Sequence, residues 1–145
     1  MGKSFDQLKL SNQLCFPLYV CSKEIVRLYK PYLDKVNLTY TQYITMMAFW
    51  ETEKTNVRDL GKKLFLDSGT LTPVLKTLEA KGFITRKRSQ EDERNLDVEI
   101  TQEGKNLRNL CKDIPEELSC GIKLDKEDIG SLRQILNKLM AQFNQ

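Results

Sequence analysis

Residues 56–100, NVRDLGKKLFLDSGTLTPVLKTLEAKGFITRKRSQEDERNLDVEI, are the stretch that decides the fold. Its apolar residues first recur every three or four positions in two short runs, which predicts two helices joined by a tight Phe65-Leu66 turn. Asp67 is a suitable cap for the second helix, and Gly82 is a suitable end. Beyond Gly82 the pattern changes: residues 83–88 are typical of a strand, and apolar and polar residues alternate strictly over residues 96–100. Two such segments around a charged loop predict a β-hairpin. A helix-turn-helix followed directly by such a hairpin is a winged helix.

Amphipathic helices are predicted on both sides of this motif, from apolar residues at three- and four-residue spacings. The predicted helices span about residues 12–32, 41–50, 102–118 and 126–143. Ser11 and Asn12 are both suitable N-caps for the first of them, Thr101 for the third and Asp125 for the last. These helices have more apolar surface than the small motif can cover, so we expect them to form the interface of a two-fold dimer.

The chain is therefore predicted to be mainly α, a winged helix-turn-helix with a small β-hairpin wing, flanked by N- and C-terminal dimerisation helices. We expect a single domain, 1–145, with the winged-helix region at about 36–101 and the dimerisation helices at about 5–35 and 102–145. A chain of 145 residues that is 40% hydrophobic can bury a core of this size. It has no apolar run near the roughly 20 residues of a membrane span and no signal-peptide core, so we expect a cytoplasmic protein with no membrane partner.

The positive charge is concentrated in the middle of the sequence. Residues 54–94 contain ten Lys and Arg against six Asp and Glu, whereas the remainder contains thirteen against fourteen. The net charge of +3 therefore comes entirely from the central region, where a phosphate backbone could be met. A solvated basic surface would explain the charge equally well, so charge alone does not decide the function.

The N-terminal end of the second helix of the motif offers groups that can bind DNA. Ser68, Thr70 and Thr72 supply hydroxyls, next to free backbone N–H groups and the cap Asp67, for phosphates and base edges. Lys76, one or two turns further along, can reach a phosphate. Any capped helix has a similarly polar start, so the weight of these five candidates depends on the hairpin that follows.

The hairpin strengthens the DNA-binding interpretation. Arg86 leads into it together with Lys87 and Arg88, and Arg94 lies on its far side beside Asp92. An arginine at a hairpin tip suits a narrow minor groove, where negative potential is concentrated. Asp92 could pair with Arg94 and hold it in position. We therefore predict double-stranded DNA as the partner, with Arg86, Asp92 and Arg94 as candidate contacts from the wing.

Three motifs occur in order along the chain. They are NQLCF at 12–16 with Tyr19, DSGTLTPVLK at 67–76, and DERN at 92–95 followed by Val98, Ile100, Thr101 and Gly104. Together they resemble the MarR family of winged-helix regulators, and more particularly its organic hydroperoxide regulators, the OhrR group. The resemblance covers the chain from about Phe5 to the final helix. It implies a homodimeric repressor that binds a near-palindromic operator and leaves it when oxidised.

The cysteines are the other candidates for chemistry: Cys15, Cys21, Cys111 and Cys120. There is no CxxC pair and no histidine, so neither a metal nor another cofactor is predicted. In a reducing compartment they are free thiols, and a free cysteine is ordinarily a small buried apolar residue. Cys15 differs because it lies in the first or second turn of its helix, where the dipole favours a reactive thiolate, and Tyr19 follows on the same face.

The resemblance gives Cys15 and its neighbours specific roles. In the OhrR group further tyrosines hydrogen-bond the reactive sulfur, and the matching positions here are Tyr29 and Tyr40. Some members also supply a resolving cysteine near the start of the C-terminal helical pair, where Cys120 lies. The resemblance thus implies the two-cysteine type, with a disulfide that crosses between subunits, although Cys21 could compete as the resolving partner.

The sequence therefore predicts a redox-sensing repressor, not an enzyme, that leaves DNA when an organic hydroperoxide oxidises Cys15. Three alternatives stay open at this point. One is a regulator of the same family that is released by a non-oxidative ligand such as a phenolic compound. Another is a thiol peroxidase that uses Cys15 and Cys120, and the third is an interaction module that does not bind DNA.

Overall fold

The computed structural model describes residues 4–143, which form seven α-helices, two short 3₁₀ turns and a three-stranded sheet. The 3₁₀ turns are Asp6–Leu8 and Leu10–Asn12. The helices and strands follow in the order α1 Cys15–Asp34, α2 Tyr40–Thr52, β1 Lys54–Asn56, α3 Val57–Leu64, α4 Ser68–Ala80, β2 Ile84–Arg88, β3 Leu96–Ile100, α5 Gln102–Cys111, α6 Ile114–Ser119 and α7 Lys126–Ala141. This is the predicted mainly helical winged helix-turn-helix.

The N-terminal boundary of α1 differs from the sequence prediction. Ser11 and Asn12, predicted as N-caps, lie in a 3₁₀ turn, and the helix begins at Cys15. The side chain of Asn12 donates to the carbonyl oxygen of Asp6 at 2.7 Å, so it closes the preceding turn instead of capping a helix. The capping prediction is therefore wrong, and its correction places Cys15 at the first helical residue.

The predicted caps of the later helices are confirmed. Asp67, Thr101 and Asp125 each accept a hydrogen bond from the backbone N–H three residues on. Phe65 ends α3 in the left-handed conformation, with φ of 55°, which makes the tight turn into α4. Each such cap contributes about 1 kcal/mol to helix stability, so the positions of α4, α5 and α7 are strongly specified by local sequence.

The sheet contains one strand more than the predicted hairpin. β2 and β3 pair as expected, with Arg86 opposite Val98, and β1 pairs antiparallel with the other edge of β3, with Thr55 opposite Val98. Residues 54–56 (Lys-Thr-Asn) have no apolar alternation, because the strand is only three residues long and all three are polar. Their pairing depends on β3 being nearby in space, which local pattern does not reveal.

The predicted helix from 102 to 118 is interrupted. α5 ends at Cys111 and α6 begins at Ile114, with Pro115 in the first turn of α6. A proline within a continuous helix removes one hydrogen bond and clashes with the carbonyl four residues earlier, whereas in a first turn it is well tolerated. The break therefore separates a helix that packs on the winged region from one that contacts α1.

The hydrophobic core lies in the winged-helix region. Its fully buried side chains are Met46, Phe49, Leu60, Leu71, Leu75, Leu78, Ile84 and Val98. In contrast, Leu33 is the only buried residue of α1, and α7 has none among its described residues. Within residues 4–143, no helix combines the length and apolar character that a membrane crossing needs.

Gly104 in the first turn of α5 packs closely against the winged region. A Cβ atom there would lie 2.3 Å from the carbonyl oxygen of Phe83 and 2.7 Å from Cγ1 of Ile100. The carbonyl oxygen of Gly104 also accepts the indole N–H of Trp50 at 2.8 Å. The start of α5 therefore has no room to move.

We expect Gly104→Ala to lower the free energy of unfolding by about 1–3 kcal/mol, because the new methyl group meets backbone that cannot shift. Thermal denaturation followed by circular dichroism measures this. Gly130→Ala is the matched control, because Gly130 is also helical and a Cβ atom there would have no neighbour within 4 Å. Equal melting temperatures for the two variants would show that the contact at Gly104 is not restrictive.

Candidate nucleic-acid interface and cysteine site

The first turn of α4 presents its polar groups to solvent. The Oδ1 atom of Asp67 accepts the N–H of Thr70 at 2.7 Å, which fixes the start of the helix. Ser68, Thr70 and Lys76 are exposed, whereas Thr72 is half-buried. The opposite face of α4 is anchored in the core, so this polar end is held rigidly at the surface.

The wing is held by hydrogen bonds near its tip. Ser89 Oγ accepts the N–H groups of Glu91 and Asp92, and the Ser89 N–H donates to the carbonyl oxygen of Asn95 at 2.9 Å. Asp92 Oδ1 accepts the backbone N–H of Arg94 at 3.0 Å. Asp92 thus orders the backbone that carries Arg94, and the guanidinium of Arg94 stays exposed. The sequence prediction did not include Ser89, although a serine just before a charged tip is typical of such side-chain turns.

The start of α4 and the wing border one surface cleft. This cleft has a volume of about 890 Å³. Asp67 and Ser68 line it from α4, and Arg94 lines it from the wing. Candidate DNA contacts from two parts of the chain therefore lie on one side of the molecule, as binding to a single duplex requires.

Arg86 lies in a different setting from the one expected for a DNA contact. Its Nη2 atom is 3.0 Å from Glu79 Oε1, and its backbone N–H donates to Glu79 Oε2 at 3.1 Å. The hydrogen bond from Arg86 holds the pKa of the Glu79 carboxyl below its usual value. The Arg86 side chain is only 19% exposed, so it connects β2 to the end of α4 and does not reach outward.

Cys15 is the first residue of α1 and is exposed. No side chain caps this helix N-terminus, so its first N–H groups are not occupied by a cap residue. Tyr19 lies one turn on and is 63% exposed, with the Lys23 ammonium 5.4 Å from its ring centre. Among the described residues no hydrogen bond joins Tyr19 to Cys15.

Tyr29 and Tyr40 lie together, but not at Cys15. Their ring centres are 5.0 Å apart, and Tyr43 lies 5.7 Å from Tyr29. Burial raises the pKa of both the Tyr29 and the Tyr40 phenols, so both are uncharged donors at neutral pH. Tyr29 is fourteen residues beyond Cys15 on the same helix, which corresponds to about 21 Å along its axis. Within one chain these tyrosines therefore cannot bond the Cys15 sulfur.

The other three cysteines are in different environments, and all four are free thiols. Cys111 is buried in the core, and this burial raises the pKa of its thiol. Cys21 is exposed on α1, and Cys120 is exposed at the C-terminal end of α6. Cys111 therefore matches the ordinary role of a small apolar residue, whereas Cys21 and Cys120 are accessible.

Helix α4 has one face in the core and a polar N-terminal end at the surface, as the recognition helix of a helix-turn-helix does. Together with the neighbouring hairpin and its exposed arginine, it defines a winged-helix DNA-binding protein. The sequence family described as transcriptional regulator SarA/Rot matches residues 27–110. The organic hydroperoxide resistance transcriptional regulator of Bacillus subtilis strain 168 is 46% identical over 145 residues, which is 100% of this chain and 99% of the relative. The chain therefore belongs to the SarA/Rot and MarR type of winged-helix transcriptional regulators, and its predicted likeness to the OhrR group is confirmed.

Solved structures support the same assignment. The structure of reduced AbfR bound to DNA has a TM-score of 0.81 and 29% identity, covering 96% of this chain and 95% of that one. The structure of disulfide-formed AbfR has a TM-score of 0.65 and 32% identity, with 93% and 95% coverage. AbfR comes from Staphylococcus epidermidis. These relatives are regulators and not enzymes, in agreement with the sequence prediction.

Proposed function

We propose that this protein is a homodimeric repressor that binds operator DNA when reduced and leaves it when an organic hydroperoxide oxidises Cys15. The observation that carries the proposal is the position of Cys15. It is the exposed first residue of a long helix, and the phenol pair Tyr29 and Tyr40 lies near the other end of that helix. The B. subtilis relative, named for organic hydroperoxide resistance, supports the class of oxidant.

The dimer is supported by apolar surface that the single chain leaves uncovered. On α1 and α7 the exposed large apolar side chains are Phe16, Tyr19, Ile25, Val26, Leu28, Leu132, Ile135 and Met140. So many exposed apolar side chains on two helices are unfavourable in water and typical of an interface. A second copy is the economical partner, because a two-fold axis covers the same surface on both chains.

A two-fold dimer also provides the missing hydrogen bonds of the sensor. Because about 21 Å separates Cys15 from Tyr29 along α1, the two ends can meet only if α1 helices of two copies run in opposite directions. Cys15 of each chain would then lie beside Tyr29 and Tyr40 of the other. Neutral phenols that donate to the sulfur would stabilise a thiolate by charge-assisted hydrogen bonds. Tyr19, on the same face as Cys15, would line the approach of the oxidant.

The proposed chemistry uses two thiols and one hydroperoxide. The Cys15 thiolate attacks the outer oxygen of the hydroperoxide, the O–O bond breaks, and the OH group is transferred to sulfur as a sulfenic acid. The alkoxide that leaves takes a proton from water and becomes the alcohol. The Cys120 thiol then attacks the sulfenic sulfur, which forms a disulfide and releases water. Cys120 is exposed and Cys111 is buried, so Cys120 is the more accessible of the two C-terminal thiols. The solved structure of disulfide-formed AbfR supports a disulfide as the end state.

In the reduced dimer we assign DNA contacts to α4 and to the wing. Ser68, Thr70 and Lys76 would enter the major groove, and Arg94 the flanking minor groove. Asp67 and Thr72 would support the start of the helix, and Asp92 would order the wing. The two recognition helices are expected about 34 Å apart, one turn of DNA. The solved structure of reduced AbfR bound to DNA supports DNA binding in the reduced state.

The proposal is tested by titrating the reduced protein onto a DNA fragment from upstream of its own gene, with an unrelated fragment of equal length as control. One equivalent of cumene hydroperoxide per Cys15 is then added, followed by dithiothreitol. We expect specific binding, a rise in Kd of about 100-fold on oxidation, and recovery on reduction. Binding that ignores the hydroperoxide would contradict the redox switch and favour a small-molecule effector. Consumption of many equivalents with a recycling thiol would favour a peroxidase.

A further inference from the structure

Lys81 connects the end of the recognition helix to a distant part of the chain. It is the residue directly after α4, and its ammonium donates to the carbonyl oxygen of Asn37 and to Oε1 of Gln42, the latter at 3.2 Å. Both acceptors belong to the segment 37–42, which we call the α1–α2 junction. In the described part of the chain, no other hydrogen bond joins α4 or its C-cap residue to this junction.

The junction is a well-ordered element with its own hydrogen bonds. Asn37 is left-handed, with φ of 54°, and Thr39 and Gln42 form a capping box at the start of α2. Gln42 Oε1 therefore accepts from two donors, the backbone N–H of Thr39 and the ammonium of Lys81. A change in the junction consequently alters the acceptors of Lys81 directly.

The same junction carries one of the sensor tyrosines. Tyr40, the first residue of α2, lies between Asn37 and Gln42, and its ring packs against Tyr29 of α1. Tyr40 is three residues from Asn37 and two from Gln42, so a displacement of its side chain would move backbone next to both acceptors of Lys81. No other described polar contact gives α4 so short a connection to the tyrosine pair.

The environment of Lys81 makes this connection specific. Its side chain is half-buried in a hollow of about 270 Å³ at the junction, and burial lowers the pKa of its ammonium. A partly desolvated ammonium depends on its acceptors more than an exposed one does, because lost hydrogen bonds are not fully replaced by water. By comparison, Lys30 forms an exposed pair with Asp34 within α1 alone.

We propose that Lys81 is a positioning residue that transmits the state of the Cys15 site to the recognition helix through the α1–α2 junction. The proposal rests on the proposed redox function and names the contact that carries its signal. In the reduced dimer Tyr40 is held at the sulfur of the other copy, and the junction holds Lys81 and the end of α4. When Cys15 is oxidised and Tyr40 is released, the junction shifts, and Lys81 draws α4 out of register with DNA.

The test measures the ratio of oxidised to reduced Kd for DNA in Lys81→Met, Lys81→Arg, Gln42→Glu and the control Lys30→Met. The rate of Cys15 sulfenic acid formation and the melting temperature are recorded for each. We expect Lys81→Met to bind DNA within about threefold of wild type when reduced and to oxidise at the same rate, but to lose far less DNA affinity than wild type when oxidised. Its ratio should fall from about 100 to below about 5. The wild-type ratio should be kept in three variants that retain the hydrogen bonds from residue 81 to the junction: Lys81→Arg, Gln42→Glu and Lys30→Met.

A wild-type ratio in Lys81→Met would overturn the proposal, as would loss of its reduced DNA binding at an unchanged melting temperature. If Lys81→Met does not fold, Lys81→Gln replaces it, because a shorter neutral side chain also removes the ammonium from Asn37 and Gln42. Failure of the proposed function looks different. In that case neither the wild type nor any variant at position 81 shows a change in Kd on oxidation.

Discussion

A Cys15→Ser protein should bind DNA as tightly as the wild type and should not leave it when organic hydroperoxide is added. The wild-type Kd is expected to rise by about 100-fold on oxidation, whereas the variant should change by less than about twofold. A serine hydroxyl is nearly isosteric with the thiol, so the fold and the dimer are retained. It is not oxidised by a hydroperoxide under these conditions, because it offers no thiolate.

Cys120→Ser is the informative partner of this variant, because it removes the second step and keeps the first. We expect Cys15 of this variant to be oxidised to the sulfenic acid, which dithiothreitol can reduce. Further oxidation of that sulfenic acid to the sulfinic or sulfonic acid is irreversible, so DNA binding should then no longer recover. Wild type, in contrast, should recover fully with dithiothreitol. Cys21→Ser, which removes the other exposed thiol, should behave as wild type. Disulfide formation in Cys120→Ser but not in Cys21→Ser would instead identify Cys21 as the resolving residue.

A non-reducing gel of the oxidised proteins shows whether the disulfide crosses between chains. A bond between Cys15 of one copy and Cys120 of the other gives a band at twice the mass of the chain, which Cys15→Ser and Cys120→Ser should both lack. A band at the monomer mass, with both thiols blocked to alkylation, would contradict the cross-subunit bond. Release of Cys15→Ser from DNA by hydroperoxide would contradict the sensor role itself.

The winged helix could be predicted because its determinants are local. Asp67 and Thr101 cap helices with their own side chains, and the alternation from Leu96 to Ile100 follows from the two faces of a strand. These signals need no knowledge of the rest of the chain. The predicted wing and recognition helix therefore agree closely with their positions in the structure.

Features that depend on distant partners could not be predicted in the same way. Arg86 has the sequence appearance of a DNA contact, but Glu79 lies beside it only because α4 and β2 pack together. Lys81 has no local pattern at all, since its acceptors are about forty residues earlier in the chain. The surroundings of Cys15 were still less predictable from the sequence, because Tyr29 lies about 21 Å along α1 from Cys15, out of reach within a single chain.

Arg94→Ala should have the second large effect, a loss of DNA affinity in the reduced state. The Arg94 guanidinium is exposed at the wing and makes no described ion pair, so it is free to enter a minor groove. An arginine contact of this kind contributes about 1 kcal/mol or more, and a dimer has two wings, so Kd should rise by at least about 30-fold. Fluorescence anisotropy with a labelled operator duplex measures this change.

The salt dependence separates a charge contact from a loss of wing order. Because each Arg94 releases counterions when it meets the duplex, the slope of log K against log salt should become less steep by about 2 in Arg94→Ala. Asp92→Ala removes the acceptor of the Arg94 N–H but no cation, so it should weaken binding without making the slope less steep. Arg27→Ala, on the exposed face of α1, controls for a change in net charge alone. If Arg94→Ala and Arg27→Ala gave the same Kd and the same slope, the wing would not contact DNA.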